Sequence, residues 1–290
     1  MSPGKTTGLL LLMAGSAVDS SSGLLTRLTQ ADGFTIASAR GFMAFLFLFT
    51  ILMIRDRGRI GPALASLGLW GLVFVTLNPI GMVLNVLSLK FTAVANFFMI
   101  FATAPFVAGL LGWLVLRERL DLATALAALA GFAGIAIMVS GGLTGVNLGD
   151  ILAMVVVLAY GVNVLILRKA PQMDVLALIT VTVLVSGLMA APFATFQGLE
   201  MHDWAVLTTL GFFQLGLGNI LIFLAVSRVT AAEAGLLGIM GAVFAPTWVL
   251  AFLGEVPPER TLWGGAVILA AGLGHFLYTM KGPIAARLRP

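Results

Sequence analysis

Residues 92–116 read TAVANFFMIFATAPFVAGLLGWLVL, a stretch of 25 positions without a charged side chain. About 20 apolar residues in a helix cross the ~30 Å hydrocarbon core of a bilayer, so this stretch predicts a membrane-spanning helix. The rest of the chain has the same character, since 60% of its 290 residues are hydrophobic and only 10% are charged. An ordinary soluble domain has about 25% charged residues. The composition therefore excludes a soluble enzyme, a nucleic-acid-binding protein and a disordered scaffold.

Charged residues and Gly/Pro-rich breaks divide the chain into ten such stretches. The predicted spans are 7–28, 33–54, 62–89, 92–116, 121–141, 148–168, 174–196, 204–227, 230–253 and 260–281. Every connection is short, which leaves no room for a soluble domain. Residues 1–17 loosely resemble a cleaved signal peptide, but the apolar character resumes after Asp19, which favours an intact first span.

The basic residues predict how these spans are oriented. Ten spans place both termini on one side of the membrane. If that side is the cytoplasm, 12 of the 16 basic residues lie inside, and only Arg27, Lys90 and Arg260 lie outside. This bias follows the positive-inside rule, so we expect cytoplasmic termini in a bacterial inner membrane. It also explains the net charge of +4 and the pI near 10 without a nucleic-acid partner.

A shift of 141 residues superimposes special positions of the two halves. The matched pairs are Gly8 with Gly149, Arg27 with Arg168, Asn78 with Asn219, and Pro105 with Pro246. Because each half has an odd number of spans, the second half enters the membrane upside down. We therefore predict an all-α integral membrane protein of ten transmembrane helices, built as two inverted five-helix repeats at 1–141 and 148–290. Such inverted repeats are typical of secondary transporters, whose substrate site lies near the midplane between the halves.

Short motifs recur at matching places in both halves. Ala-Thr-Ala-Pro at 102–105 leads through an apolar stretch to a charged Arg-Glu-Arg-Leu at 117–120, and Phe-Ala-Pro at 244–246 leads to Gly-Glu at 254–255. With the Ala39-Arg40 of the second span, these motifs resemble those of the EamA-type drug/metabolite transporter superfamily over almost the whole chain. The first span departs from the family pattern, because Met13-Ala14 stands where a tryptophan is usual.

The resemblance implies both a fold and a class of activity. Members export amino acids, metabolites or toxic cations from the cytoplasm, and the amphipathic content is most similar to that of the YddG-like amino-acid exporters. By the same resemblance, spans one to four and six to nine would surround the cavity, and spans five and ten would buttress it.

Two charged residues, Asp19 and Arg40, lie deep inside predicted spans, well away from the span ends. A carboxylate at the depth of Asp19 costs about 2.5–3.5 kcal/mol on insertion scales, so it must face protein or water. Arg40 in the second span lies at a similar depth, since each is seven to nine residues from the outer end of its span. We expect an intramembrane ion pair. It would serve either structure or the coupling of a proton or cation to transport.

Polar, aromatic and methionine side chains within the spans are candidates for the cavity lining. They are Asn78, Asn96, Met99, Thr103, Tyr160, Asn163, Gln214, Asn219 and Trp248. A buried amide both donates and accepts hydrogen bonds, which suits the amino or carboxyl group of a substrate. The alternative for each is helix packing or lipid contact.

Prolines within spans are candidates for hinges. Pro79, Pro105 and Pro246 each remove one helical hydrogen bond and free a carbonyl one turn earlier. We expect Pro105 and Pro246 to break spans four and nine in the same way. The sequence leaves open whether these bends move or are static kinks.

Several familiar kinds of site are absent from the sequence. There is no cysteine, and the two histidines, His202 and His275, have no metal-ligand spacing. No Walker loop or nucleophile elbow occurs, so we predict no metal, no cofactor and no enzymatic activity.

The architecture and the family resemblance together predict a monomeric exporter of small amphipathic metabolites that works by alternating access. Neutral and aromatic amino acids are its leading candidate substrates. A multidrug exporter of lipophilic cations is the alternative within the same fold. A membrane-embedded enzyme and a passive pore are alternatives of different classes. Proton coupling and downhill transport both stay open.

Overall fold

The computed structural model describes residues 3–117, 122–139, 147–226, 228–229 and 236–287. Throughout this part of the chain the regular structure is helical, with no strand. Nine of its helical segments are long and apolar enough to cross a membrane, and Ile239–Leu253 is a shorter apolar helix at the ninth predicted span. The predicted all-helical membrane fold is confirmed, and each of the ten predicted spans corresponds to a helical segment.

The helices follow the predicted spans closely. Those of the first half are Pro3–Ser20 and Ser22–Leu28, Gly33–Arg55, Gly61–Ala65 and Gly68–Phe91, Val94–Phe101 and Ala104–Leu116, and Leu122–Val139. Those of the second half are Leu148–Lys169, Val175–Ala190 with a 3-10 turn Ala191–Phe193, Met201–Thr209, Leu210–Leu217 and Gly218–Val226, Leu236–Leu253, and Glu259–Arg287. We call the end of the bundle that holds Leu28, Thr92 and Glu255 the outer end, after the predicted orientation, and the opposite end the inner end.

Polar caps mark where several spans begin. The Asp32 carboxylate accepts the backbone N–H groups of Phe34 and Thr35, at 2.9 and 3.0 Å, and so caps the second span. Partial burial raises the pKa of Asp32, but hydrogen bonds from Thr35 and Phe34 outweigh it and hold the pKa below its usual value. Asn147 and Asp150 form a capping box at the start of the sixth span. These caps place polar groups at span ends, where Asp32 and Asn147 are exposed.

The two proline spans differ in shape. The fourth span is interrupted at Ala102–Thr103, just before Pro105. The ninth helix runs unbroken through Pro246. The prediction that Pro246 breaks its span is therefore wrong, because one missing hydrogen bond does not end a helix whose neighbouring turns remain bonded. Pro79 likewise lies inside a continuous helix.

The eighth span contains a segment with a wider turn. Residues Leu210–Leu217 form a π-helix between two α-helical segments. Single π turns within α-helices are rare and occur frequently at functional sites. This one carries Gln214, which was predicted as a cavity residue.

Close backbone approach holds pairs of spans together. The fifth and tenth spans pack against each other, and a Cβ on Gly134 would lie 2.6 Å from the carbonyl oxygen of Gly264. The second and seventh spans pack in the same manner, since a Cβ on Gly41 would lie 2.8 Å from the Gly187 backbone. Small residues at these crossings let helices associate without a water-driven hydrophobic effect. The fifth and tenth spans thus form a closely packed helix pair.

Candidate functional site

A polar cavity of about 180 Å³ lies within the bundle, between spans one, two, three, four, six and eight. Its polar lining consists of Asp19, Ser22, Arg40, Asn78, Asn85, Tyr160, Asn163 and Gln214. No described residue of the fifth or tenth span lines it, which agrees with the supporting role that the resemblance implies for those spans. Six of the eleven residues predicted for binding or coupling thus share one cavity.

Two opposite charges face this cavity. An Asp19 carboxylate oxygen accepts a hydrogen bond from Gln214 Nε2 at 3.0 Å. The Arg40 guanidinium, only 3% exposed, donates to the Met82 carbonyl at 2.8 Å. The ion pair expected between Asp19 and Arg40 is not among the direct ion pairs of the described residues. Each of the two side chains therefore bonds to a neutral protein group. Each can still form hydrogen bonds with water or a ligand in the cavity.

Two buried amide oxygens in the lining lack a hydrogen-bond partner. They are Asn163 Oδ1 and Gln214 Oε1, on side chains that are 8% and 3% exposed. Leaving a buried polar atom unpaired costs about 1–3 kcal/mol, so most such atoms in native proteins have a partner. Water or a ligand in the cavity can supply one, which makes these oxygens candidates for ligand contact.

Aromatic rings form the apolar wall of the same cavity. Phe97 and Phe101 are stacked with centroids 5.9 Å apart, and Phe97 meets Phe98 edge-on at 5.2 Å. Phe101 also meets Tyr160 edge-on at 5.4 Å, which joins the fourth span to the sixth. The cavity therefore combines both charges, neutral amides and an apolar face.

The other five predicted cavity residues lie elsewhere. Asn219 donates to the Leu215 carbonyl of its own helix at 2.6 Å, and Met99 packs in the apolar core. Thr103 donates to the Ile100 carbonyl at 2.6 Å. None of these three lines the polar cavity.

Trp248 and Asn96 each bond to neighbouring spans. The Trp248 indole N–H lies 3.3 Å from the Ala17 carbonyl and 3.2 Å from Ser20 Oγ, so it joins the ninth span to the first. Asn96 Nδ2 lies 3.2 Å from Asp150 Oδ1 and belongs to a network at the outer end. Both side chains contribute to packing between spans in this conformation.

One of the cavity amides, Asn85, escaped the sequence reasoning. Asn85 follows Asn78 by seven residues, two helical turns, so both amides lie on one face of the third span with Gly81 and Met82 between them. That i, i+7 spacing is the signal that would have identified it.

Hydrogen bonds and an ion pair tie the outer ends of the spans together. The Arg27 guanidinium donates to the Thr92 carbonyl at 2.7 Å and lies 3.4 Å from a Glu255 carboxylate oxygen. Thr29 Oγ1 donates to Asp203 at 2.7 Å, which joins the first span to the eighth. Contacts between both halves therefore link the spans at the outer end.

A second set of hydrogen bonds lies at the same end. Thr92 Oγ1 donates to Asp150 Oδ1 at 2.5 Å, and Asn96 donates to the same carboxylate. The Thr261 hydroxyl donates in turn to Asn96 Oδ1. The inner end is different, since a cavity of about 680 Å³ lies there beside the Arg55–Asp174 ion pair, whose closest atoms are 2.7 Å apart.

Two sets of five spans around a buried polar cavity define the architecture of a membrane transporter. Comparison with protein families agrees and is more specific. The profile of the EamA-like transporter family matches residues 6–140 and again residues 147–276. The chain therefore belongs to that family, and it is a multi-pass membrane transporter of small molecules. The two matches begin 141 residues apart, the shift found in the sequence.

Other comparisons give the fold alone. The chain has no match among curated proteins. Among solved structures 21 chains are similar. One of them, described only as the crystal structure of a protein, aligns with a TM-score of 0.64 and 16% identity, over 95% of this chain and 98% of its own. At that identity the likeness supports the fold and says nothing of the substrate.

Proposed function

We propose that this transporter exports small zwitterionic metabolites, amino acids first, from the cytoplasm across a bacterial inner membrane. The observation that carries the proposal is the pair of opposite charges, Asp19 and Arg40, facing one small buried cavity. A free amino acid carries one positive and one negative group at neutral pH, and both need partners once water is removed.

The chemistry of each charge suggests which end of the substrate it binds. An ammonium group has three donors, and Asp19 with the two unpaired amide oxygens of Asn163 and Gln214 offers acceptors. Arg40 offers donors in the fork geometry that suits a carboxylate. The aromatic rings at Phe97 and Phe101 would contact an apolar or aromatic substrate side chain.

The size of the cavity favours this proposal over a multidrug exporter. Its volume is about 180 Å³. Sites for drug-sized ligands usually enclose about 300–1,000 Å³. A lipophilic cation would also leave Arg40 without an anionic partner, whereas an amino acid would neutralise both charges.

A difference between the two ends of the bundle supports alternating access. The outer end is tied by the Arg27–Glu255 and Thr29–Asp203 contacts, and the inner end holds the larger cavity. The direction of net transport rests on the family resemblance, and Asp19 is the group that would carry a coupled proton.

The test is counterflow in liposomes containing the purified full-length protein. Liposomes loaded with one unlabelled amino acid are diluted into labelled amino acids, with and without a pH gradient, and empty liposomes serve as the control. We expect saturable uptake of labelled neutral and aromatic amino acids. Uptake of lipophilic cations with no amino-acid exchange would contradict the proposal.

A further inference from the structure

A third cavity opens on the lipid-facing side of the bundle. It encloses about 340 Å³ between spans four, five and six. Its floor is buried, at Val107 and Val157, and its rims are exposed, at Leu114, Phe132 and Leu158. Among the described lining residues, the only polar side chain is that of Thr103, and its hydroxyl donates to the Ile100 carbonyl. The described lining of the groove is therefore almost entirely apolar, which suits an apolar ligand.

The groove runs along the fourth span toward the inner end. Lining residues from Ile100 to Leu114 cover about 21 Å at the 1.5 Å rise of an α-helix. Half of the bilayer hydrocarbon is ~15 Å thick. A groove of this length and direction matches an acyl chain of the leaflet at the inner end better than it matches a compact solute.

Basic residues continue both walls of the groove at that end. On the fourth span, Val107, Leu110 and Leu114 follow helical spacing, and Arg117 is the next position of the same stripe. Arg117 is exposed, immediately after the helix ends at Leu116.

The sixth span repeats the pattern. Its lining residues Met154 and Leu158 are followed at helical spacing by Gly161 and then by Arg168, which is exposed. Leu111 packs against Gly161, since a Cβ there would lie 2.8 Å from Leu111 Cδ1. Both spans run toward the inner end from this contact, so Arg117 and Arg168, six and seven residues onward, lie at nearly the same depth.

We infer that this groove binds one anionic phospholipid from the leaflet at the inner end. An acyl chain fills the apolar groove, and the phosphate lies between Arg117 and Arg168. Basic residues at a membrane surface attract anionic headgroups by about 1 kcal/mol each, and an apolar groove beneath them fixes the position of the chain. The bound lipid contacts the backs of two spans whose other faces line the central cavity, at Phe101 and Val156.

The experiment is native mass spectrometry of the full-length protein in detergent, titrated with dioleoyl phosphatidylglycerol. Dioleoyl phosphatidylcholine has the same acyl chains without the net negative charge, and glycerol phosphate has the phosphate without the chains. The two compounds therefore test the headgroup charge and the acyl chain separately. We expect one phosphatidylglycerol to be retained per chain, with weaker retention of phosphatidylcholine and none of glycerol phosphate. The double variant Arg117→Gln/Arg168→Gln should weaken phosphatidylglycerol binding roughly tenfold or more.

Two control pairs make the result specific. Arg57→Gln/Arg59→Gln removes the same charge from another loop at the inner end and should leave binding unchanged. Leu110→Trp fills the groove and should weaken binding, whereas Leu72→Trp, on an exposed face of the third span, should not. If the arginine double variant does not fold, Leu110→Trp against Leu72→Trp decides the question.

Three outcomes would overturn the inference. Equal retention of the two phospholipids would remove the headgroup preference. Equal weakening by the two arginine pairs would indicate diffuse attraction to the inner end. Unchanged binding in Leu110→Trp would place the acyl chain outside the groove.

Discussion

The two halves of the transporter share a scaffold but differ in the chemistry they bring to the cavity. Both charged groups, Asp19 and Arg40, come from the first half, and the second half supplies the neutral Tyr160, Asn163 and Gln214. The matched asparagines also differ, because Asn78 faces the cavity while Asn219 bonds to its own helix. Duplication therefore explains the ten-span architecture, whereas the chemistry of the site comes from positions where the halves have diverged.

The largest expected effect is at Asp19, compared with Tyr160 at the matched position of the second half. Asp19→Asn keeps an acceptor for Gln214 but removes the negative charge. Hydrogen bonds to charged groups contribute about 1.5–3 kcal/mol, so counterflow of amino acids should slow roughly tenfold to a hundredfold. Tyr160→Phe, which keeps the ring, should change the rate far less. An Asp19→Asn protein with wild-type rate and pH dependence would refute a role for the carboxylate in transport.

A smaller effect separates the two asparagines. Asn78→Ala removes an amide that faces the cavity. Loss of one hydrogen bond costs about 0.5–1.5 kcal/mol, so the apparent KM for amino acids should rise roughly two- to tenfold at unchanged thermal stability. Asn219→Ala removes the partner of the Leu215 carbonyl, so it should lower the melting temperature and leave KM unchanged. Thermal unfolding in detergent and counterflow kinetics measure the two effects. The opposite pattern would show that Asn219 is the substrate contact.

The smallest effect is expected at the prolines. Pro105→Ala permits hydrogen bonding across the interruption at Ala102–Thr103, so a helix could continue through it. If the interruption is a hinge, maximal transport should fall a few-fold with little change in KM. Pro246→Ala alters a span that is already continuous and should have less effect on transport. Equal responses of the two variants would argue that both prolines are static kinks.

Local features of the sequence predicted the fold well. Each span is specified by its own run of apolar residues, and ends such as Asp32 and Asn147 are marked by capping side chains that need no distant partner. The shift of 141 residues between the duplicated motifs also separates the starts of the two matches to the family.

Membership of the cavity was less predictable, because it depends on how each helix is rotated in the bundle. Asn78 and Asn219 look equivalent in sequence, but the π-helix Leu210–Leu217 precedes only the second and changes the turn of its span. Trp248 and Asn96 are plausible cavity residues from the sequence alone. In the packed bundle they bond instead to Ser20 and Asp150, which lie in distant segments of the chain. No pattern within a single span reports such contacts.

The unequal shapes of the fourth and ninth spans bear on what the opposite conformation looks like. If the two inverted repeats alternate as proposed, the opposite conformation arises when each half adopts the shape that the other half has now. The ninth span would then bend near Pro246, and the fourth would straighten across Ala102–Thr103. The bend would thus move from the fourth span to the ninth and back during each transport cycle. Since the chain has no native cysteine, spin labels on pairs of introduced cysteines can follow that movement directly.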